Sequence, residues 1–381
     1  MELFLGVVLG LIILVLLVVV HELGHAIVAR RNGVVVEEFG IGFPPKAWGK
    51  KLRNGIEFSV NWLPIGGFVK LQGEYDSSRG KGDYGAASFW VKTKILLAGV
   101  MINWLVAALL LTGLALVGMP KVLPNQYSVP SDQTIINKGE VSITALLPGY
   151  PAEKAGFRQG DVITKFDGKT FETAEDLVVL THVSRGETVT VEYVRDDETM
   201  RKKVTLLERE KGSVFGAGLG QMQLTRSTWS APIVGVGTTV QFTGVTLSGI
   251  GDILANLAQG AIGKFSTNES TRQQADEKLS DVSNNVAGPV GILGVLFPSV
   301  REAGLTQIIF FTALISLTLA VMNILPIPGL DGGRFYTMSI FRLIKKPLTK
   351  EREETIQLVG VLLIFVLIIS VTISDVGKLL S

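Results

Sequence analysis

The chain contains no cysteine, and only three of its 381 residues are histidine. The first absence excludes disulfides, thiolate metal sites and cysteine nucleophiles. The second means that any histidine chemistry rests on very few side chains. Charge is scarce as well: Asp, Glu, Lys and Arg make up 18% of residues and the formal net charge is +2. The basic residues fall in short loops beside apolar runs, so nothing points to a nucleic-acid partner. With hydrophobic residues at 47%, the chain is too apolar for an ordinary soluble protein of this size and belongs in a membrane.

Four apolar runs, residues 3 to 21, 95 to 119, 303 to 330 and 356 to 374, are long enough to cross ~30 Å of hydrocarbon. The first lacks the basic start, short core and small-residue cleavage site of a signal peptide, so it is read as a retained span. Arg30, Arg31, Lys46, Lys50, Lys51 and Arg53 follow the first run, and Arg334, Arg342, Lys345, Lys346, Lys350 and Arg352 separate the third from the fourth. The bias of such residues toward the cytoplasm puts both loops inside. The two termini and the stretch from about 120 to 302 are then expected outside. Residues 231 to 263 carry a single charge, Asp252. A fifth crossing there would move the second basic loop outside, so this stretch is expected to lie on the membrane surface or to insert only partly.

Residues 138 to 225 differ from their surroundings. They are charged, they alternate in short runs such as TVTVEYV and KKVTLL, and PGYPAEKAGFRQGDVI and FDGKT punctuate them. This predicts a soluble β-rich module with one short helix around TAEDLVVLTHV. PAEKAGFRQGDVITKFDGKT, with small residues at Ala155 and Gly156 and a turn at Gly160 and Asp161, resembles the bacterial form of the PDZ domain.

Two of the three histidines fall in HELGH, at the end of the first apolar run. Four residues apart on a helix, His21 and His25 share a face and reach one metal ion, with Glu22 beside it. Zinc held by two histidines and a carboxylate keeps a position for water and lowers its pKa to about 7. An adjacent glutamate can take the water's proton and pass it to a leaving amine. Ionisable groups at the end of a membrane span are costly and usually functional. His182, alone on the soluble module, reads as an ordinary surface or core residue. The third ligand should come from another span at the same depth, and the candidate is Asp331 at the end of the third run, in MNILPIPGLDGGR. Pro326 and Pro328 break helical hydrogen bonding there, and Gly329, Gly332 and Gly333 let the backbone bend toward a cavity.

HELGH in a first span, NILPIPGLDGG in a late one, PIGGFVKLQGE between spans and a PDZ module outside together resemble the site-2 protease family of intramembrane zinc metalloproteases, in its regulator-of-sigma-E protease branch. The resemblance implies a polytopic α-helical membrane protein with about four transmembrane helices, a membrane-associated β-loop and one inserted extracytoplasmic PDZ domain of α+β type. It implies zinc bound by His21, His25 and Asp331, Glu22 as general base, and Asn323, Pro326 and Pro328 as residues that hold an unwound substrate. The alternating stretch from 56 to 74 corresponds to the family's β-loop. Its exposed edge, at Gly66, Gly67, Phe68 and Val69, suits pairing with an extended substrate by strand addition.

Four regions are expected: an N-terminal membrane core, 1 to 120; an extracytoplasmic region, 121 to 225, with the PDZ domain at about 138 to 225; an amphipathic membrane-surface region, 226 to 302; and a C-terminal membrane core, 303 to 381. Expected partners are single-span membrane proteins such as anti-sigma factors and remnant signal peptides, peptide tails at the PDZ domain, and membrane lipid. The expected location is the bacterial inner membrane, with the active site toward the cytoplasm. AGPVGI, residues 287 to 292, matches the family's stretch before the third span. The chain departs from the family in having Gly99-Val100-Met101-Ile102-Asn103 where relatives have Gly-Pro before two residues and an asparagine, and in carrying one PDZ module where some relatives have two. The alternative is a catalytically idle membrane scaffold with structural zinc, for which Glu22 would have no use.

Overall fold

A computed structural model describes residues 2–195, 198–209, 212–285 and 288–380; Ala287, the first residue of the AGPVGI stretch, lies outside them. In chain order the elements are α1 (Glu2–Arg31), β1 (Val36–Lys51), β2 (Glu57–Leu71), α2 (Phe89–Val117), β3 (Met119–Pro120), β4 (Thr134–Leu146), α3 (Pro151–Lys154), β5 (Val162–Phe166), α4 (Ala174–Val183), β6 (Thr188–Arg195), β7 (Glu198–Thr205), β8 (Ala217–Arg226), α5 (Ala231–Lys264), α6 (Glu269–Asn285), α7 (Pro289–Gly291), a π-helical stretch, α8 (Phe297–Glu302), α9 (Leu305–Ile324), α10 (Asp331–Leu343) and α11 (Lys350–Leu380). The chain forms two compact units, Met1–Leu114 with Pro232–Ser381, and Ala115–Ala231.

In the first unit α1 runs well past its apolar stretch and stops at Gly33, whose φ of +80° suits a residue without Cβ. The Val34 N–H reaches back to Ala29 O at 3.0 Å, closing the helix end in a Schellman arrangement. α2 and α11 begin about six residues before the apolar runs that announced them. Ser88 and Thr349 precede these helices; α11 opens on Lys350, Glu351, Arg352 and Glu353, and α2 carries Lys92 and Lys94 in its first six residues, charges that a hydropathy reading excludes. The third run is corrected at its other end. α9 stops at Ile324, because Leu325 before Pro326 takes an extended conformation and proline cannot continue the hydrogen bonding. Asp331 therefore starts a separate helix, α10, and does not end a span. The basic stretch from 334 onward is largely that helix rather than a loop.

Among the described residues five helices, α1, α2, α5, α9 and α11, are long and apolar enough to cross a membrane. α5 has two characters. Its first half packs into the helical core, with Gly235 against Thr112 and Trp104 Nε1 donating to Thr243 Oγ1 at 3.1 Å. The charged α6 folds back against one face of the last two turns of α5: Gly260 meets Leu279, Gly263 meets Ala275, and Lys264 pairs with Asp276.

β1 and β2 form one small sheet in which Glu38–Ile41 lies between two parts of β2, pairing with residues 57–60 on one side and 67–70 on the other. Among the described residues no strand pairs with the far side of 67–71, so that edge is free.

The second unit is a sheet in the order β3-β8-β4-β5-β6-β7, with α3 and α4 attached. The alternation in TVTVEYV buries Val189, Val191 and Tyr193 against Phe157, Phe166, Leu177 and Phe215, as period-two patterning requires. Thr173 and Asp176 close a capping box on α4. The Gly160–Asp161 turn is held by a fork: Arg195 Nε and Nη2 each donate to the Asp161 carboxylate at 2.7 Å, and the Arg158 N–H donates to it at 2.8 Å. Burial pushes the Asp161 carboxyl up, but the Arg195 fork and the Arg158 N–H outweigh it and hold the group below the usual carboxylate range. A depressed carboxylate pKa stabilises the fold above the unfolded value near 3.9, and this is lost as the pH falls through the folded value. Asp161→Ala removes the carboxylate from the Arg195 fork and is expected to cost about 3 kcal/mol, read as faster hydrogen exchange of β4 to β6 amides in the full chain. The gap between variant and parent is expected to narrow below about pH 4.

Candidate metal centre and its surroundings

His21 and His25 lie on one face of α1, four residues apart and both buried, at 7% and 8% exposure. Their rings meet edge to face, with the two Nε2 atoms 3.2 Å apart. Asp331 Oδ2 stands 3.0 Å from His21 Nε2 and 3.2 Å from His25 Nε2. Two nitrogens and one carboxylate oxygen thus form a nearly equilateral triangle built from residues 310 positions apart.

Two bonds of 2.0–2.1 Å at a tetrahedral zinc place their donor atoms about 3.3 Å apart. Both the donor types and the spacing of the triangle fit such an ion. The tautomer fits as well, because His25 Nδ1 donates to Ile95 O at 2.7 Å; a carbonyl only accepts, so the Nε2 lone pair stays free. Among the described residues this triad is the one His, Asp and Glu group close enough to hold a metal.

Glycine makes the arrangement possible. A Cβ on Gly99 would lie 2.5 Å from both imidazoles, and one on Gly24 would lie 2.7 Å from Ala98 O, so α1 and α2 cross with backbone against side chain. Small residues at a crossing of apolar helices are the signal that a sequence reading could have used for this contact.

Asp331 is carried by the loop 325–330 and the first turn of α10. Gly332 and Gly333 sit where a Cβ would fall within 2.3 Å of Leu325 O and 2.1 Å of Ile327 O. Gly329, at φ +96°, donates its N–H to Gln357 Oε1 at 2.6 Å. One turn into α10, Arg334 reaches Glu74 O at 2.7 Å and Glu353 at 3.4 Å. Glu353 in turn accepts from the Asp76 N–H at 2.9 Å, and Asp76 pairs with the buried Lys92. Residues 74–92, α10 and α11 are tied together by this ion cluster, which the sequence reading missed because its members are scattered across three segments.

Glu22 points toward β2: the Val69 N–H is within hydrogen-bonding reach of its carboxylate, and a Cβ on Gly67 would be 3.7 Å from Glu22 Cγ. The free edge at Gly66, Gly67, Phe68 and Val69 therefore adjoins Glu22. Pro326 and Pro328 lie in the loop before Asp331, and Asn323 occupies the last turn of α9, where its Nδ2 donates to Leu319 O at 3.0 Å.

A helical HExxH pair completed by a distant aspartate, set among helices apolar enough for a bilayer, defines a metallopeptidase-type centre in a membrane protein. The chain belongs to peptidase family M50, whose family model matches residues 9–367. It is 25% identical over 446 residues to the regulator of sigma-W protease RasP of Bacillus subtilis, covering 95% of this chain and 96% of that one. It is 25% identical over 452 residues to the zinc metalloprotease RasP of Shouchella clausii, covering 96% and 97%. A Clostridium acetobutylicum protein with a provisional zinc-metalloprotease name is 30% identical over 376 residues, 98% of each chain. Among solved structures, the PDZ domain of an SdrC-like protein from Listeria monocytogenes aligns at 22% identity and a TM-score of 0.20, covering 23% of this chain and 93% of its own. The protein is a zinc metalloendopeptidase of the membrane.

Gly99→Ala is expected to push the imidazoles apart and lower zinc affinity by at least about tenfold, measured as metal content of the purified protein after dialysis against a weak chelator. Full retention of zinc would show that the α1–α2 crossing is looser than its contacts imply.

Proposed function

We propose that the protein is an intramembrane protease that hydrolyses peptide bonds within the transmembrane segments of single-span proteins, of the anti-sigma-factor or remnant-signal-peptide type, in regulated intramembrane proteolysis. The observation that carries the reading is the His21–His25–Asp331 triangle at the end of an apolar helix, with Glu22 facing a free strand edge. In this reading His21, His25 and Asp331 are the zinc ligands and Glu22 is the general base. Zinc, when bound, supplies a Lewis acid that polarises the scissile carbonyl and lowers the pKa of water.

The protein's own groups do the rest. Glu22 takes the proton of the attacking water and returns it to the leaving amine. A peptide bond in a transmembrane helix is shielded by its own hydrogen bonds, and unwinding it in lipid leaves polar groups that need partners. The edge at Gly66, Gly67, Phe68 and Val69 offers them by strand addition, while Asn323, Pro326 and Pro328 hold the substrate from the loop side. The PDZ module, at about 138 to 225, receives peptide tails outside the membrane. The site-2 protease resemblance and the relatives' names support the reading.

Glu22→Gln is expected to keep one zinc per chain while cleavage of a membrane-embedded substrate falls by about 10²–10⁴-fold. Asp331→Ala is expected to lose zinc and activity together. Turnover by zinc-loaded E22Q at the parent rate would remove Glu22 as the base, and unchanged zinc content in D331A would remove Asp331 as a ligand.

Four crossings, α1, α2, α9 and α11, with the termini outside and the site toward the cytoplasm of the bacterial inner membrane, accord with the basic residues beside their inner ends and with the charged α6 folded back against the last turns of α5. The absence of native cysteine makes this testable. Single cysteines at Ser78 and Thr349 are expected to be shielded from an impermeant thiol reagent in intact cells, and one at Ser213 to react. Labelling at 349 from outside would mean that α5 crosses completely.

A further inference from the structure

His21 and His25 present the same ring nitrogen to Asp331, but their opposite edges are held differently. His25 Nδ1 meets a main-chain carbonyl, Ile95 O, which fixes the proton on Nδ1. His21 Nδ1 faces instead the side-chain amide of Asn103, with Nδ2 at 3.4 Å. Asn103 is fully buried, and among the described residues its Oδ1 has no hydrogen-bond donor. Its main-chain carbonyl accepts from Ser316 Oγ at 2.8 Å, which ties this turn of α2 to α9.

These contacts have a consequence for the ring. An amide nitrogen toward the ring suits the tautomer in which His21 Nδ1 accepts and Nε2 carries the proton. A metal at Nε2 requires the other tautomer, in which Nδ1 carries the proton and needs an acceptor. A half-turn of the Asn103 amide provides one, since its oxygen and nitrogen are nearly equal in size and exchange places. The otherwise unpartnered Oδ1 then receives the Nδ1–H.

We propose that Asn103 is a positioning residue of the metal centre: its amide, turned to bring Oδ1 to the ring, accepts from His21 Nδ1–H and so holds His21 in the tautomer that leaves Nε2 for the metal. An amide suits this place because it serves both tautomers, whereas the carbonyl behind His25 serves one. The proposal rests on His21, His25 and Asp331 being the metal ligands.

The test uses the full chain in detergent, with zinc affinity measured by competition against a chelator. Asn103→Leu, close in volume but without an acceptor, is expected to bind zinc 10- to 100-fold more weakly, the usual consequence of losing such a partner. Asn103→Asp keeps an acceptor and is expected to equal or exceed the parent. Because the chain has three histidines, ¹⁵N-histidine spectra are simple to assign. The zinc-loaded parent and N103D are expected to show a hydrogen-bonded Nδ1–H on His21, and N103L to lose that shift. A parent that binds no zinc would overturn the ligand assignment and this proposal together. A parent that binds normally while N103L matches it, or an N103D as weak as N103L, would overturn the role of Asn103 alone, as would an unchanged His21 signal in N103L.

Discussion

The close crossing of α1 and α2 is the contact on which the rest of the site depends. At Gly24 and Gly99 there is no room for even a methyl group: the α2 backbone lies on the imidazoles, and the α1 backbone lies on Ala98 O. At that distance the Ile95 carbonyl can reach His25 Nδ1, and Asn103, two turns further along α2, can face His21 Nδ1. Apolar helices gain little by hiding from lipid, so their association relies on packing and on hydrogen bonds between them. Here the same crossing supplies both, and the polar side of the packing lies behind the imidazoles of the candidate metal centre. A looser crossing would release two imidazoles from the groups that set their orientation.

The third corner of the triangle comes from a different kind of constraint. Asp331 cannot ride on an unbroken helix, because α9 would carry it past the histidines. Two prolines end the helical hydrogen bonding early, and the freed backbone has to find partners within the protein. α11 provides them: Gln357 accepts from Gly329, and Gly360 leaves space for Pro328 O at a distance no side chain would permit. The Arg334–Glu353–Asp76–Lys92 cluster then fixes the start of α10 against residues 74–92. Buried ion clusters of this kind contribute little net stability but strongly resist loss of one member. That suits a helix start whose position within a few tenths of an ångström decides whether three donor atoms form one site.

The parts of this architecture that depend on spacing along one element were legible in the sequence. Two histidines four apart on a helix must share a face, and TVTVEYV must bury alternate residues. Asp331 was legible as a candidate because it follows a Pro- and Gly-rich break at the end of an apolar run, although such a break also serves as an ordinary helix-ending turn. What was not legible depends on packing between distant segments. The doubled pairing of β1 with β2 follows from register choices across Gly40 and Gly67 that alternation alone does not specify. The separate α10 was hidden because its amphipathic, basic sequence reads as an inner loop, and the lysine-bearing start of α2 and the charged first turn of α11 fell outside the apolar runs. Asn103 stood in view beside Gly99, but its relation to His21 exists only once the two helices cross.

The free edge of β2 is the feature that joins this geometry to the proposed chemistry. An unpaired strand edge is ordinarily a liability, since any extended chain can add to it. Here it lies beside the one carboxylate of HELGH, with Val69 N–H turned toward Glu22 and Gly67 so close that a side chain would touch it. Gly66 makes room for the Phe43 ring, and Gly67 lets the strand lie close against Gly40 O and the side chains of Glu22 and Val18. A segment pulled out of helical form loses hydrogen bonds that lipid cannot replace, and a strand edge restores them only if the segment stays extended. The partner that satisfies the unwound backbone is therefore also the one that holds it open, at the place where water and a base must reach it. In this reading recognition needs no particular side chain from the substrate, only a stretch of helix that unwinds at a cost the edge can offset.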